Sequence, residues 1–240
     1  MTTQNNTDAG EVFAGRMVEY GQADGRALRG YLSGEPAGSG KRPGIVMVHE
    51  WWGLNENIRG LADRFAAQGY TVLAVDLYRG EVTASVEEAT RLYQFGMDNS
   101  AEGDQNMVAA VDYLRAHGAT SVGSMGYCFG GHWSLRTGLA AGDKVNAVVI
   151  YYGAPITDRD MLSKMRAPVL GMYAGLDNSI PQDAVGSMQK ALAEYGIQMT
   201  THIYPGVNHA FCNSTGPYYN RDAAEDAFAR TVAFYREHLN

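Results

Sequence analysis

The ten residues 122–131 read VGSMGYCFGG and carry the strongest structural signal in this sequence. The apolar run Val122–Tyr127 predicts a buried strand, and Phe129–Leu139 predicts a helix. Between them, residues 126–130 have the Gly-x-nucleophile-x-Gly spacing of a sharp strand-to-helix turn, with Cys128 in place of the usual serine. Glycine at both ends of the turn would avoid collisions that a Cβ would make with neighbouring backbone. The motif therefore predicts a nucleophilic Cys128, although a buried structural cysteine is the commoner explanation of such a motif standing alone.

Strands and helices alternate along most of the chain on both sides of this turn. The predicted strands are Val12–Tyr20, Ala27–Leu32, Gly44–Val48, Thr71–Val75, Val122–Tyr127, Ala147–Tyr152, Val169–Tyr173 and Thr200–Tyr204. The predicted helices are a segment containing Ile58–Ala66, then Glu87–Phe95, Met107–Arg115, Phe129–Leu139, Ala184–Tyr195 and Ala223–Leu239. This alternation predicts an α/β fold, in which a mostly parallel, twisted sheet carries helices on both faces. We expect a turn near Gly21–Gly25, a Gly/Pro/Ser loop at Glu35–Arg42, a disordered segment at residues 1–10, and one domain over residues 11–240.

Composition and charge exclude several classes of protein. The chain has 240 residues, 45% of them hydrophobic, which is enough for one substantial core. Its 26 acidic and 19 basic residues give a net charge of -7, which argues against binding to nucleic acid or to anionic membranes. No apolar stretch approaches the ~20 residues that span a bilayer, and Met1–Val12 lacks the pattern of a secretory signal. Because the chain has only two cysteines, which fits a reducing compartment, we expect a cytoplasmic protein.

A base and an orienting acid occur where such a nucleophile would need them. Asp177 lies just past the predicted strand Val169–Tyr173, and His209 lies just past Thr200–Tyr204. The chain order nucleophile, acid, histidine is the order this kind of fold uses. Of the other histidines, His202 lies inside a strand, His117 and His238 end helices, and His132 is expected to pack on the helix after the turn. The ordered trio predicts that His209 takes a proton from Cys128 and that Asp177 orients the imidazole.

The segment after the predicted strand Gly44–Val48 supplies further candidates. In such sheets this loop provides one backbone donor of the oxyanion hole, and the residue after the nucleophile provides the other. The Trp51 and Phe129 N–H groups are therefore the predicted donors. Glu50 is either a solvated loop carboxylate or a group near the thiol. In the second case its charge would raise the pKa of Cys128 and keep the resting thiol protonated.

Taken together, these motifs resemble the dienelactone hydrolase family of α/β-hydrolases. The matching segments are His49-Glu50-Trp51-Trp52-Gly53, Asp76-Leu77-Tyr78, Gly126-Tyr127-Cys128-Phe129-Gly130-Gly131, Tyr151-Tyr152-Gly153, Gly175-Leu176-Asp177 and Gly206-Val207-Asn208-His209-Ala210-Phe211. The resemblance implies an α/β-hydrolase fold without a separate lid domain, a Cys–His–Asp triad, and a glutamate at position 50 that interacts with the resting thiol. It implies a small-molecule ester or lactone as substrate, and neither a cofactor nor a metal.

Two positions depart from the family pattern of arginines that hold a substrate carboxylate. Arg79 follows Tyr78 directly, whereas the family has its first arginine one residue later, at the position of Gly80. The second arginine would stand at Asn213. A bidentate arginine clamp tolerates little displacement, so we expect neutral, apolar or aryl esters and lactones rather than anionic dienelactones. The candidates for substrate binding are Trp52, Tyr78, Arg79, Tyr127 and Phe211.

Other functions remain open at this point. The same machinery could attack the phosphorus of neutral aryl phosphotriesters. A thiol redox sensor using Cys128 and Cys212 is a different class, and a ligand receptor that has lost catalysis is a third. The expected oligomeric state is a monomer or a small homo-oligomer.

Overall fold

A computed structural model describes residues 13–34 and 42–239. The predicted disorder at residues 1–10, the first residue of the predicted strand at Val12, and residues 35–41 of the predicted loop lie outside the described residues. Within the described parts of the chain, none of the helices combines the length and the apolar composition that crossing a membrane requires.

Eight strands form one sheet, and helices occupy the connections between them. The strands are β1 (Arg16–Ala23), β2 (Arg26–Ser33), β3 (Gly44–Val48), β4 (Thr71–Val75), β5 (Val122–Tyr127), β6 (Ala147–Tyr151), β7 (Val169–Ala174) and β8 (Met199–Tyr204). The helices are α1 (Glu56–Ala66), α2 (Val86–Asp98), α3 (Ser100–Ala116), α4 (Phe129–Ala141), α5 (Arg159–Leu162), α6 (Gln182–Glu194) and α7 (Arg221–His238). The strand order is β1-β2-β4-β3-β5-β6-β7-β8, antiparallel up to the β2–β4 pair and parallel from β4 onward. The predicted α/β class and mostly parallel sheet are confirmed.

The strand side chains alternate between two hydrophobic layers. In β3, Ile45 and Met47 pack on one face of the sheet, whereas Val46 and Val48 pack on the other. Helices α1 and α7 cover the first face, and α3, α4 and α6 cover the second. Because both faces are covered, β3, β4 and β5 are buried along their whole length, and they have the bounds that the sequence predicted.

The first hairpin differs from its prediction. Strand β1 ends at Ala23, three residues later than predicted, and the turn to β2 consists only of Asp24 and Gly25. Both turn residues have positive φ, 48° and 74°, which a two-residue hairpin of this kind requires. The pairing register shifts between Glu19 and Gly21, so a bulge breaks the two-residue period on which the prediction depended.

Helix α3 begins at Ser100, seven residues before the predicted start at Met107. Its first two turns are polar in sequence, yet Gly103 and Asn106 face the interior. A Cβ on Gly103 would lie 2.0 Å from the Trp133 ring, and Asn106 accepts a hydrogen bond from the buried Tyr20 hydroxyl. Small and hydrogen-bonded polar residues thus form a buried face that apolar periodicity does not detect.

The register of the parallel strands brings the segments after them to one edge of the sheet. Val48 of β3 lies beside Gly126 of β5, and Tyr127 lies beside Tyr151 of β6. At the far end of the same row, Ala174 of β7 pairs with Tyr204 of β8. The segments containing Glu50, Cys128, Asp177 and His209 therefore all leave the sheet at its carboxyl edge, where α/β proteins place their sites.

Candidate active site

The turn at Cys128 depends on glycine at both of its ends. A Cβ on Gly126 would lie 2.0 Å from the Gly130 carbonyl oxygen, and one on Gly130 would lie 2.2 Å from that of Val48. Cys128 itself has φ 55°, a strained conformation for a residue with a side chain. Its N–H donates to the Tyr151 carbonyl oxygen at 2.9 Å, which holds the turn against β6. The chain can therefore pass from β5 into α4 without a clash and project the thiol at the edge of the sheet.

The surroundings of the Cys128 thiol keep it protonated. Burial, and then the nearby Glu50 carboxylate, raise the thiol pKa to about 12. The nearby backbone N–H groups of Phe129 and Trp51 favour the thiolate and partly oppose that rise in pKa. The two predicted oxyanion donors thus converge on the sulfur from separate segments. At neutral pH the resting residue is a thiol rather than a thiolate.

Asp177 and His209 form a direct hydrogen bond. The Asp177 Oδ2 atom lies 2.6 Å from His209 Nδ1, and the carboxylate side chain is only 2% exposed. The other carboxylate oxygen accepts from the Ser179 N–H at 2.8 Å and from the Ser179 hydroxyl at 2.6 Å. Burial by itself raises the Asp177 pKa, but the hydrogen bonds from Ser179 and His209 outweigh it and hold the pKa below its usual value. The charged Asp177 accepts the Nδ1–H, so the lone pair of His209 is on Nε2.

Cys128 and His209 line the same cavity, which has a volume of about 740 Å³. Among the described residues, no hydrogen bond joins the sulfur to the imidazole, whose Nδ1 is bound to Asp177. The wall of the cavity includes Glu50, Trp51, Trp52, Tyr93, Phe129, His132, Tyr152 and Asn213. None of the described residues that line it is a lysine or an arginine. The cavity therefore has an aromatic wall and no cation to receive a substrate carboxylate.

Glu50 is a buried carboxylate with only neutral partners. It is 1% exposed, and it accepts hydrogen bonds from Asn213 Nδ2 at 2.6 Å and from the Tyr152 hydroxyl at 3.4 Å. The Asn213 amide is oriented by Thr215, whose N–H and hydroxyl both donate to Asn213 Oδ1. Burial raises the Glu50 pKa to about 7, and the hydrogen bonds from Asn213 and Tyr152 oppose this only in part. Of its two predicted environments, the structure gives Glu50 the one beside the thiol.

Of the predicted substrate-binding residues, only Trp52 lines the cavity that contains Cys128. Trp52 lies on the cavity wall, in contact with Trp51. Tyr78 is buried behind Phe129, with 5.3 Å between the ring centroids. Phe211 is buried behind Tyr152, also at 5.3 Å. These two rings support the wall without lining the cavity.

Tyr127 and Arg79 face away from the cavity. Tyr127 packs on Tyr151 at 4.5 Å and lines a separate cavity of about 300 Å³ beside Cys212. Arg79 has φ 57°, and its guanidinium pairs with Glu102 at 2.5 Å and stacks over the Phe95 ring. It lines a third cavity, of about 560 Å³, which does not include Cys128. Neither side chain is placed to contact a substrate at the thiol.

Several residues of the cavity wall were not predicted, among them Tyr93, His132 and Tyr152. His132 was expected only to pack, yet it lines the cavity, with Nδ1 3.2 Å from the Ala154 carbonyl oxygen. Burial lowers its pKa and favours the neutral ring. Its position four residues after Cys128 is the available signal, because residues i and i+4 share one face of a helix. Tyr152 directly follows β6, so the rule that site residues follow strands would have found it.

Comparison with known proteins gives consistent matches. A model of the dienelactone hydrolase family matches residues 28–239. The protein usf of Aquifex pyrophilus is 32% identical over 233 residues, which cover 94% of this chain and 99% of the relative. A candidate carboxymethylenebutenolidase of Saccharolobus solfataricus is 29% identical, with 89% of this chain and 95% of that protein covered. Among solved structures, a dienelactone hydrolase-like promiscuous phosphotriesterase from metagenomic libraries has a TM-score of 0.83 at 21% identity, with 94% of this chain and 98% of that chain covered, and so shares the fold.

Proposed function

Because this chain belongs to the dienelactone hydrolase family and is therefore a hydrolase of esters or lactones, we propose that it works through a Cys128–His209–Asp177 triad. The observation that carries the proposal is the part-buried Asp177–His209 hydrogen bond at the cavity that also contains the Cys128 thiol. A hydrogen bond between these two residues, beside a cysteine in a strained conformation, favours a shared catalytic role over separate structural roles.

The proposed reaction begins with the proton of the thiol. Rotation about the Cys128 Cα–Cβ bond brings the sulfur to His209 Nε2, which accepts the proton of the thiol. The Glu50 carboxylate assists this proton transfer as a second base. The thiolate attacks the carbonyl carbon, and the Phe129 and Trp51 N–H groups receive the oxyanion. The tetrahedral intermediate collapses to a thioester, and imidazolium protonates the departing alkoxide. Water that has given a proton to His209 then cleaves the thioester and restores the thiol.

The proposed substrates are small, neutral esters and lactones with apolar or aryl groups. The described lining of the cavity has no cation, and Asn213 uses its amide to bind Glu50. A substrate carboxylate would therefore be desolvated beside Glu50 without a positive partner, which is unfavourable. The Trp51 and Trp52 rings offer apolar surface instead.

A panel of p-nitrophenyl esters tests this proposal. We expect p-nitrophenyl butyrate to be cleaved at least about ten-fold more efficiently than mono-p-nitrophenyl succinate, because the succinate buries an unpaired charge. Cys128→Ala should abolish turnover, whereas the control Cys212→Ala should keep it, since Cys212 is 6% exposed and lies outside this cavity. Mass spectrometry after rapid quenching should find an acyl group on Cys128. Full activity in Cys128→Ala would refute the triad, and a preference for the succinate would refute the substrate class.

Aryl phosphotriesters are a second proposed substrate class. They are neutral, and the absence of a cation among the described lining residues suits them as it suits neutral esters. A structural neighbour is described as a promiscuous phosphotriesterase. A burst of p-nitrophenol equal to the enzyme concentration is expected with paraoxon, and no release of p-nitrophenol would remove this class.

The geometry weighs against a redox sensor built from the two cysteines. Burial raises the pKa of Cys128 to about 12 and raises that of Cys212 well above its ordinary value. Sensor cysteines need the opposite, namely a low pKa and access. Thiol titration after mild peroxide treatment should therefore find both thiols still reduced.

A further inference from the structure

His49 is a fully buried histidine that the proposed proton transfers do not use. It follows β3 directly and is 0% exposed. Its Nδ1 lies 2.5 Å from the Glu50 carbonyl oxygen, and the Leu77 N–H lies 3.2 Å from its Nε2. A peptide N–H can only donate, so Nε2 is the acceptor and Nδ1 carries the proton. The imidazole therefore donates to the Glu50 carbonyl, and its tautomer is determined by its neighbours.

That hydrogen bond determines the direction of an oxyanion donor. The Glu50 carbonyl and the Trp51 N–H belong to one peptide unit, and no described peptide bond is cis. In a planar trans peptide the carbonyl and the N–H point in opposite directions. The carbonyl is held by His49 Nδ1 and by the Gly53 N–H at 3.3 Å. The Trp51 N–H is consequently turned to the other side, toward the cavity that it lines together with Cys128.

The His49 ring also touches the segment that carries the other donor. It stacks on the Phe129 ring with 5.9 Å between centroids and 23° between planes. The His49 backbone also packs closely against Gly130, since a Cβ on Gly130 would lie 2.6 Å from the His49 carbonyl oxygen. Burial lowers the pKa of His49, so the ring stays neutral and keeps one donor and one acceptor. His49 therefore contacts the Phe129 segment through its ring and its backbone, while its ring also binds the peptide unit that carries the Trp51 N–H.

We propose that His49 is a positioning residue for the oxyanion hole, which it serves by donating to the Glu50 carbonyl and thereby directing the Trp51 N–H toward the reacting atoms. This inference rests on the proposed cysteine hydrolase function. His49 itself touches neither the substrate nor the proton that is transferred.

Two substitutions separate the two hydrogen bonds of His49. In His49→Gln the side-chain oxygen reaches the position of Nε2 and can accept from Leu77, but the donor to Glu50 is lost. In His49→Asn the amide nitrogen takes the position of Nδ1 and can still donate to Glu50, but the acceptor for Leu77 is lost. Each variant loses one buried hydrogen bond, so their unfolding midpoints should fall by similar amounts.

Two reactions of Cys128 distinguish positioning of the oxyanion hole from general damage. Acylation by p-nitrophenyl butyrate develops an oxyanion, whereas alkylation by iodoacetamide displaces iodide and does not. For His49→Gln we expect acylation to slow by about 10²-fold, near the lower cost of losing one oxyanion donor, with KM little changed. We expect acylation in His49→Asn to stay within about five-fold of the unsubstituted protein, because this variant keeps the donor to Glu50. Alkylation in His49→Gln should also slow by no more than about five-fold, because it develops no oxyanion and the Trp51 N–H is only a minor influence on the thiol pKa.

The outcomes identify which idea fails. Wild-type acylation rates in His49→Gln, or equal losses of acylation and alkylation, would overturn the role of His49 while leaving the triad intact. If His49→Gln does not fold, His49→Asn still tests the proposal by itself. A hundred-fold loss of acylation in His49→Asn would overturn the claim that the hydrogen bond from His49 to the Glu50 carbonyl is what positions the Trp51 N–H. If the unsubstituted protein is not acylated on Cys128 at all, the proposed function itself has failed.

Discussion

Replacing Glu50 with glutamine tests the charge that keeps Cys128 protonated. The substitution preserves shape, and a glutamine can still accept from Asn213 while its amide faces the Tyr152 hydroxyl, which can accept as well as donate. The Asn213 amide is held in this orientation, because the Thr215 N–H and hydroxyl both donate to its Oδ1 atom. The variant therefore removes a negative charge and leaves the packing of the cavity floor in place.

The size of the effect follows from the pKa of the thiol. The Cys128 pKa is raised from 9.0 to about 12, with burial the largest cause and Glu50 the second. Removing the Glu50 charge should therefore lower the thiol pKa, and each fall of one pKa unit enlarges the thiolate fraction about ten-fold. The pKa of Glu50 is about 7, so the advantage should be complete above pH 8 and should vanish below about pH 6, where the wild-type carboxyl is already neutral.

Alkylation by iodoacetamide between pH 6 and pH 9 measures this directly, since its rate follows the thiolate fraction. Unfolding by denaturant gives an independent readout of the same charge. The folded-state pKa of Glu50 is raised from 4.5 to about 7, so the wild type loses stability as pH rises through that window. Glutamine should recover up to about 3 kcal/mol of this at pH 8. An alkylation rate at pH 8.5 that is unchanged or lower would refute the role assigned to the Glu50 charge.

Three further substitutions address the triad and its surroundings. Asp177→Asn should lower kcat for p-nitrophenyl butyrate by about 10³-fold or more, because the 2.6 Å contact that fixes the His209 tautomer loses its charge. The matched control is Ser179→Ala, which removes one hydroxyl donor to the same carboxylate and should lower kcat by about ten-fold or less. A small effect of Asp177→Asn would contradict the triad. Arg79→Ala should leave kcat/KM for neutral esters within about two-fold, since the guanidinium binds Glu102 outside the cavity; a ten-fold change would mean that Arg79 reaches the substrate.

Much of the fold could be predicted from sequence because its central strands are buried on both faces. The runs at β3, β4 and β5 are mostly apolar and buried throughout, so their bounds coincide with the prediction. The failures occur where local geometry departs from a regular period. The bulge between Glu19 and Gly21 shifted β1, and the buried Gly103 in α3 has no side chain to signal its burial.

The candidate site shows a similar division. Residues that directly follow strands, such as Glu50, Asp177 and His209, could be found because parallel strands end at one edge. Side-chain direction could not be read in the same way. The positive φ of Arg79 turns its side chain toward Glu102, and no linear pattern reports that conformation. The hydrogen bond from Asn213 to Glu50 joins residues 163 positions apart, so only the folded chain reveals it.

The high pKa of the resting Cys128 thiol has a consequence for the durability of the protein. Peroxide attacks thiolates, and oxidation beyond the sulfenic acid is not reversed in most proteins. With its pKa raised to about 12, the Cys128 side chain is far less ionised at neutral pH than a thiol with the ordinary pKa of 9.0. We therefore expect preparations to keep their activity in aerated buffer without added reductant.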